Sequence, residues 1–242
     1  MRIADKAVLV TGANRGIGQA LVHEALRRGA RRVYAGTRGA LPIADGRVTP
    51  LKLDVTSAEQ IQRAVEEVGS LDVLINNAGI ALYDDLNNPA SLEQQLAVNL
   101  FGPFNVTRAF LPLLKRSKGA IVNNVSLVAL AALPAVPGYS ISKAAAFNMT
   151  QSLRALLAGE GVSVHAVVIG PTDTDMNRGF DIPKAPVQTT AQGICDGIEN
   201  GEEDIFPDPA SQSIAEGWRN GVAKVLERQF AGFVPETATN LG

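Results

Sequence analysis

The 242-residue chain is poor in reactive and aromatic side chains, with one cysteine, two histidines, three tyrosines and one tryptophan. A lone Cys195 cannot form a disulfide within the chain, and a reducing compartment fits. It sits in "AQGICDGI", a helical pattern where a small buried hydrophobe is expected rather than a nucleophile. His23 and His165 fall in a helical and a strand-like segment with no second ligand at metal spacing, so no metal site is expected. No apolar run reaches membrane length, and the N-terminus runs straight into a strand pattern without a signal-like apolar region. A cytoplasmic location is therefore expected. Excess charge is also missing. A net charge of −2 and a pI near 5.8 give a nucleic-acid or anionic-membrane partner no electrostatic support. The basic cluster "RRGARR" at 27–32 straddles a helix end, where arginines complement the helix dipole.

What is present is an alternating α/β pattern. A hydrophobic fraction of 46% with 19% charged residues belongs to a globular chain, and this length buries a core without staples. Strand candidates are "AVLVTG", "RVYAGT", "VTPLKLDV", "LDVLINNAG", "GAIVNNVS", "VSVHAVVIG" and a weaker seventh, "DIFP". Several are almost continuously apolar, as parallel strands covered on both faces are. Helical patterns lie between them near 16–28, 57–68, 91–116, 140–158 and 189–200, with possible capping boxes at Ser57–Gln60, Ser91–Gln94 and Thr189–Gln192. Repeated strand–helix–strand units predict one doubly wound Rossmann-type domain over 1–242, a parallel seven-stranded sheet with helices on both faces. Residues 172–188 read as a long loop of the kind that lids use, and residues 211–231 as an extra amphipathic helix with Ile214, Trp218, Val222, Val225 and Leu226 on one stripe.

"VLVTGANRGIG" places Gly12, Gly16 and Gly18 between the first strand and the first helix. Glycine accepts positive φ and lets a pyrophosphate approach the backbone, while the helix N-terminus offers free N–H groups. The spacing is G-x-x-x-G-x-G, and its place after a buried strand points to a dinucleotide. At the end of the second strand, "YAGTRG" offers Arg38 and no acid. A carboxylate there would hold a ribose 2′-hydroxyl and repel a 2′-phosphate; a guanidinium binds the phosphate. Arg15 is placed to reach the same phosphate, so NADP(H) is favoured. Tyr139 and Lys143, in "GYSISKAAAF", would share one helix face. Taken alone, that common pattern favours a half-buried tyrosine beside a solvated lysine.

Together these motifs resemble the short-chain dehydrogenases/reductases over residues 5–176. "TGANRGIG", with Gly12, Asn14, Arg15, Gly16, Ile17 and Gly18, is similar to the family's cofactor loop, "NNAG" to its fourth-strand motif and "YSISK" to its catalytic motif. The resemblance implies an NADPH-dependent carbonyl reductase, reversible as a secondary-alcohol dehydrogenase. It implies a catalytic set of Asn99, Ser126, Tyr139 and Lys143. Tyr139 would be the general acid, and Lys143 would lower its pKa and bind the nicotinamide ribose. Ser126 would hold the carbonyl oxygen, and Asn99 would position a water linking Lys143 to solvent. Further implied contacts are Asp54 and Val55 with the adenine, and Asn77, Ala78 and Gly79 beneath its ribose. Gly170 keeps its place in the family pattern, with Thr172 at the carboxamide and Thr174 at the pyrophosphate. Ile169 stands where the family has proline, and Leu127 where a second serine is common.

Val128, Leu133 and Met176 are expected to line a pocket for a medium-sized apolar ketone or aldehyde. The resemblance also implies a homo-oligomer. Its dimer contact would run through the helices at 101–114 and 139–156, whereas the departing C-terminus takes the usual support from a tetramer contact. Two other readings compete. A non-catalytic NADP(H)-binding redox sensor on the same fold gives the catalytic set no task, and an epimerase or dehydratase usually goes with a longer substrate domain.

Overall fold

The computed structural model describes residues 1–234. In chain order the elements are β1 (Ala7–Thr11), α1 (Gly16–Arg27), β2 (Arg32–Thr37), β3 (Val48–Lys52), α2 (Ala58–Glu67), β4 (Val73–Asn76), α3 (Pro89–Leu96), α4 (Gly102–Ser117) and β5 (Ala120–Asn124). There follow α5 (Pro137–Leu157), β6 (Ser163–Val167), α6 (Val187–Asn200), β7 (Asp204–Ile205), α7 (Pro209–Arg219) and α8 (Val222–Phe230). All seven expected strands form one parallel sheet in the order β3-β2-β1-β4-β5-β6-β7. The order reverses between β1 and β4, and at such a switch point the loops leaving the two strands part to make a crevice.

Alternation along the buried strands splits the core. Val8 and Val10 of β1 pack with α1 and α6 on one face, whereas Leu9 packs with α2, α4 and the end of α5 on the other. Cys195 is buried in the first layer, where burial pushes its thiol up to about 12, consistent with an inert small hydrophobe. The β2–β3 crossover has no helix; Leu41 and Ile43 of that loop pack on the core instead. No helix among the described residues is long and apolar enough to cross a membrane.

The helical pattern at 91–116 is interrupted. Between α3 and α4, residues Ala97–Phe101 form a π turn in which the Gly102 N–H reaches back to the Ala97 carbonyl. Pro103 has no N–H to continue an α-helical ladder, and a Cβ on Gly102 would stand 2.7 Å from Val55 Cγ2. Single π turns of this type gather at functional sites, and this one carries Asn99.

None of the three expected capping boxes closes. Asn88 caps α3 through the Ala90 N–H with Pro89 opening the helix, which leaves Ser91 inside the first turn, and α6 starts after Pro186 rather than at Thr189. Ser57 does accept from the Gln60 N–H, but the Gln60 side chain bonds Asp54 N instead of closing a box.

The tail divides at Gly221 into α7 and α8, so the stripe read across it is out of phase. Trp218 packs edge-on against Phe147, with its indole N–H on Asp204 at 2.8 Å. Val222, Val225 and Leu226 instead face outward. The rotation of α8 is set from inside by charge. Lys224, 2% exposed, bonds Glu203, Asp204 and Glu227, and Arg154 of α5 pairs with the last two. Turning the apolar stripe inward would strand those buried charges, which costs more than exposing valines.

Candidate active site

A cleft of about 1040 Å³ opens along the carboxyl ends of the strands, at the switch point. One end is the turn from β1 into α1. Gly12 and Gly16 adopt φ of +65° and +54° there, and a Cβ on Gly18 would stand 2.1 Å from the Gly12 carbonyl. Arg15 is the N-cap of α1 yet makes no side-chain cap bond, which leaves the first-turn N–H groups facing the cleft. Behind them, Thr11 Oγ1 accepts the N–H groups of Asn77 and Ala78, each at 3.0 Å. The Asn77 amide donates to the Thr11 and Gly12 carbonyls and accepts from Asn124 Nδ2 at 2.9 Å. Asn77 therefore spends its side chain on joining the ends of β1, β4 and β5, and contributes to the cleft through its backbone.

The mouth is edged by charge. Arg38, largely exposed, stands 3.9 Å from Asp54. Asp54 is held below the usual carboxylate range mainly by the Thr56 hydroxyl and backbone N–H it accepts, with Arg38 adding to the effect. Arg15 reaches across to Asp175 at 2.9 Å, joining the glycine loop to the 172–188 loop. Of the two arginines expected at a 2′-phosphate, Arg15 is already engaged. Thr174 faces Gly16, whose added Cβ would stand 3.3 Å from the threonine methyl.

Midway along, three of the four expected catalytic residues line one wall. Ser126 follows β5 and hydrogen-bonds the Tyr139 phenol; Lys143, one turn along α5, has Nζ 5.6 Å from the Tyr139 ring centre. Lys143 Nζ donates to the Asn124 carbonyl at 2.8 Å. Burial pulls the Lys143 ammonium down to about 8 and pushes the Tyr139 phenol up to about 12, the Ser126 bond only partly offsetting it. Withdrawal from water is thus the dominant influence on the phenol.

Asn99 lies behind that wall. Its Oδ1 accepts Ile80 N at 2.9 Å, and its Nδ2 donates to Ile80 O at 2.8 Å and to Ser142 Oγ at 2.9 Å. Both amide protons are used, so the side chain anchors the loop after β4 and the π turn rather than donating to a water. A methyl on Gly79 would stand 3.2 Å from Asn99 Oδ1 and 3.6 Å from Lys143 Nζ, so the two groups converge behind that glycine.

Apolar side chains also line the cleft. Val128, Leu133 and Met176 line it as expected, and Tyr83, Phe180 and Ile214 join them. Tyr83 stacks on Phe180 with ring centres 5.7 Å apart, which links the loop after β4 to the 172–188 loop. Ile214 comes from α7, so the tail helix contributes to the wall. Every cofactor position expected from the sequence, through Gly170, Thr172 and Thr174, borders this one cleft. Sequence reasoning missed Asn124, Asp84 and Asp208, whose partners lie far along the chain.

A family model described as short chain dehydrogenase matches residues 6–184. The chain is 37% identical over 198 residues to the 3-oxoacyl-(acyl-carrier-protein) reductase FabG of Thermotoga maritima, covering 74% of this chain and 78% of that one. It is 33% identical over 201 residues to the short chain dehydrogenase pigC of Monascus ruber; that match covers 74% of this chain and 66% of the relative's length. A crystal structure of a short chain dehydrogenase from Burkholderia cenocepacia in complex with NADP has a TM-score of 0.87 at 37% identity. The overlap covers 97% of this chain and 100% of that one.

Proposed function

The chain belongs to the short chain dehydrogenase family, and from that premise we propose that it is an NADPH-dependent reductase of an apolar ketone or aldehyde, with Tyr139 as general acid. The observation that carries the proposal is the position of Ser126, Tyr139 and Lys143. They meet at one place in a cleft that also holds the glycine-built cradle and the apolar Val128, Leu133 and Met176.

The cradle suits a phosphorylated dinucleotide. Its glycines leave no side chain where a pyrophosphate would lie, and the first-turn N–H groups of α1 are bare. Arg38 occupies the position where an acid would repel a 2′-phosphate. The backbone of Asn14 to Gly18 would hold the pyrophosphate together with Thr174. Asp54, Val55 and residues 77–79 would hold the adenosine, and Lys143, Gly170 and Thr172 the nicotinamide end. The cofactor, when bound, supplies hydride in the reducing direction.

The remaining chemistry is the chain's own. Hydride addition leaves an alkoxide that needs a proton. Tyr139, with its phenol pushed up to about 12, is fully protonated at neutral pH and is the available acid. Ser126, on the same phenol, is placed to hold the substrate oxygen between the two hydroxyls. Lys143 keeps its charge below about pH 8 and stabilises the phenolate left behind. The apolar lining by Val128, Leu133, Met176 and Ile214 favours a neutral apolar carbonyl compound over a carboxylate or phosphate ester. Exposed Phe101, Phe104 and Ile141 on the α4–α5 side support the expected dimer contact.

The test is consumption of NADPH by the purified protein over a panel of aliphatic, aromatic and cyclic ketones and aldehydes, with NADH in parallel. Turnover with NADPH is expected. Tight NADPH binding with no turnover of any member would favour the redox-sensing alternative.

A further inference from the structure

The helix that carries Tyr139 lacks a cap of its own. Its N-cap is Val136, whose side chain accepts nothing, and Pro137 follows without an N–H. The first free donor is Gly138 N, one residue before Tyr139. A carboxylate 54 residues away accepts it: Asp84 lies 3.3 Å from Gly138 N through Oδ1 and 3.2 Å through Oδ2. An anion at this end also complements the helix dipole.

Asp84 is itself held. Gln95 of α3 is wholly buried; its Nε2 donates to Asp84 Oδ2 at 3.1 Å and its Oε1 accepts Leu82 N at 3.0 Å. Gly138 is the third part of the fit. A Cβ there would stand 2.6 Å from Gln95 Nε2 and 2.7 Å from Asp84 Oδ2, so any side chain would push the acceptor off the helix. A second tie meets the same turn. The Ser142 hydroxyl donates to the Tyr139 carbonyl at 2.7 Å and accepts from Asn99, which holds Ile80 on both sides. The loop at 80–84 is therefore stitched to the turn on either side of Tyr139.

We propose that Asp84 is a remote N-cap of the catalytic helix and, with Gln95, a positioning residue that fixes where Tyr139 presents its phenol. Neither residue borders the reacting atoms as a donor or acceptor. They act through the backbone of Gly138. The catalytic consequence rests on the reading of Tyr139 as general acid, whereas the capping role does not.

The experiment compares Asp84→Ala, Asp84→Asn and Gln95→Met with the wild-type protein. Three readouts are taken: kcat and KM for a turned-over ketone, the Kd for NADPH, and hydrogen exchange of the amides at 138–140. Asp84→Ala is expected to lower kcat by about ten- to a hundredfold with the NADPH Kd unchanged, since small misplacements of a reacting group cost rates of that order. Exchange at 138–140 should quicken. Asp84→Asn keeps an oxygen that can accept from both Gly138 and Gln95, and should restore most of both signals; Gln95→Met should follow Asp84→Ala.

Wild-type kcat and wild-type exchange in Asp84→Ala would overturn the proposal. So would a kcat loss that merely tracks the folded fraction measured by thermal melting, or an Asp84→Asn variant as impaired as the alanine. Failure of the general-acid reading looks different: Tyr139→Phe would then keep its activity while the exchange result still stood.

Discussion

The Asp208 carboxylate accepts the Gly170 backbone N–H at 2.7 Å while it caps α7 through the Ser211 N–H at 3.0 Å. One wholly buried side chain thus fastens the tail helix to the loop expected at the nicotinamide. Ser211 Oγ accepts the Asp208 N–H in return, closing a capping box. A Cβ on Gly170 would lie 2.3 Å from Asp208 Oδ1, so the glycine is needed for this approach as much as for any ligand.

Asp208→Ala leaves the Gly170 and Ser211 N–H groups buried without an acceptor, at about 1–3 kcal/mol each. The expected outcome is a loss of unfolding free energy in denaturant titration together with weaker NADPH binding by fluorescence titration. Weaker stability with an unchanged NADPH Kd would show that α7 supports the core and not the cofactor loop.

Legibility in the sequence followed the range of the interactions. Buried parallel strands are nearly continuous apolar runs, so even the two-residue β7 could be found. The glycine turn carries its signal in local spacing, whereas Ser126, Tyr139 and Lys143 were legible as a set only through the family resemblance. The failures are of two kinds. Helix starts moved because prolines at 89 and 186 set the first turns, and the tail stripe lost its phase at Gly221. Asp84, Gln95 and Asp208 escaped because each acts on a glycine N–H or a neighbour distant in sequence, and an isolated carboxylate has no periodicity to betray it.

Cofactor preference is predicted to rest on Arg38. Arg38→Asp removes a charge-assisted bond worth roughly 1.5–3 kcal/mol and adds repulsion, so NADPH should weaken by at least about tenfold and the preference swing towards NADH. Steady-state kinetics with both cofactors checks this. If NADPH preference is unchanged, phosphate recognition belongs to Arg15 after it leaves Asp175.

Under the proposed ketone reduction, the pH dependence is predicted to follow from Lys143. Its ammonium is present below about 8 and lost above it, and Tyr139 stays protonated until about 12. Reduction at saturating NADPH should therefore fall as pH rises through about 8, well before the phenol titrates. Lys143→Arg, which keeps its charge, should move that limb upward even if its rate is lower. A limb that stays in place in the arginine variant would assign it to another group.

The most direct test of the central claim is a paired measurement on Tyr139→Phe, namely NADPH Kd and kcat for a ketone that the wild-type protein reduces. The substitution removes one oxygen from the wall and leaves the ring beside Lys143. The account predicts near-normal NADPH binding with turnover reduced about 10²- to 10⁴-fold, the usual range for loss of a general acid. Turnover close to wild type would contradict it and leave the phenol as a bystander.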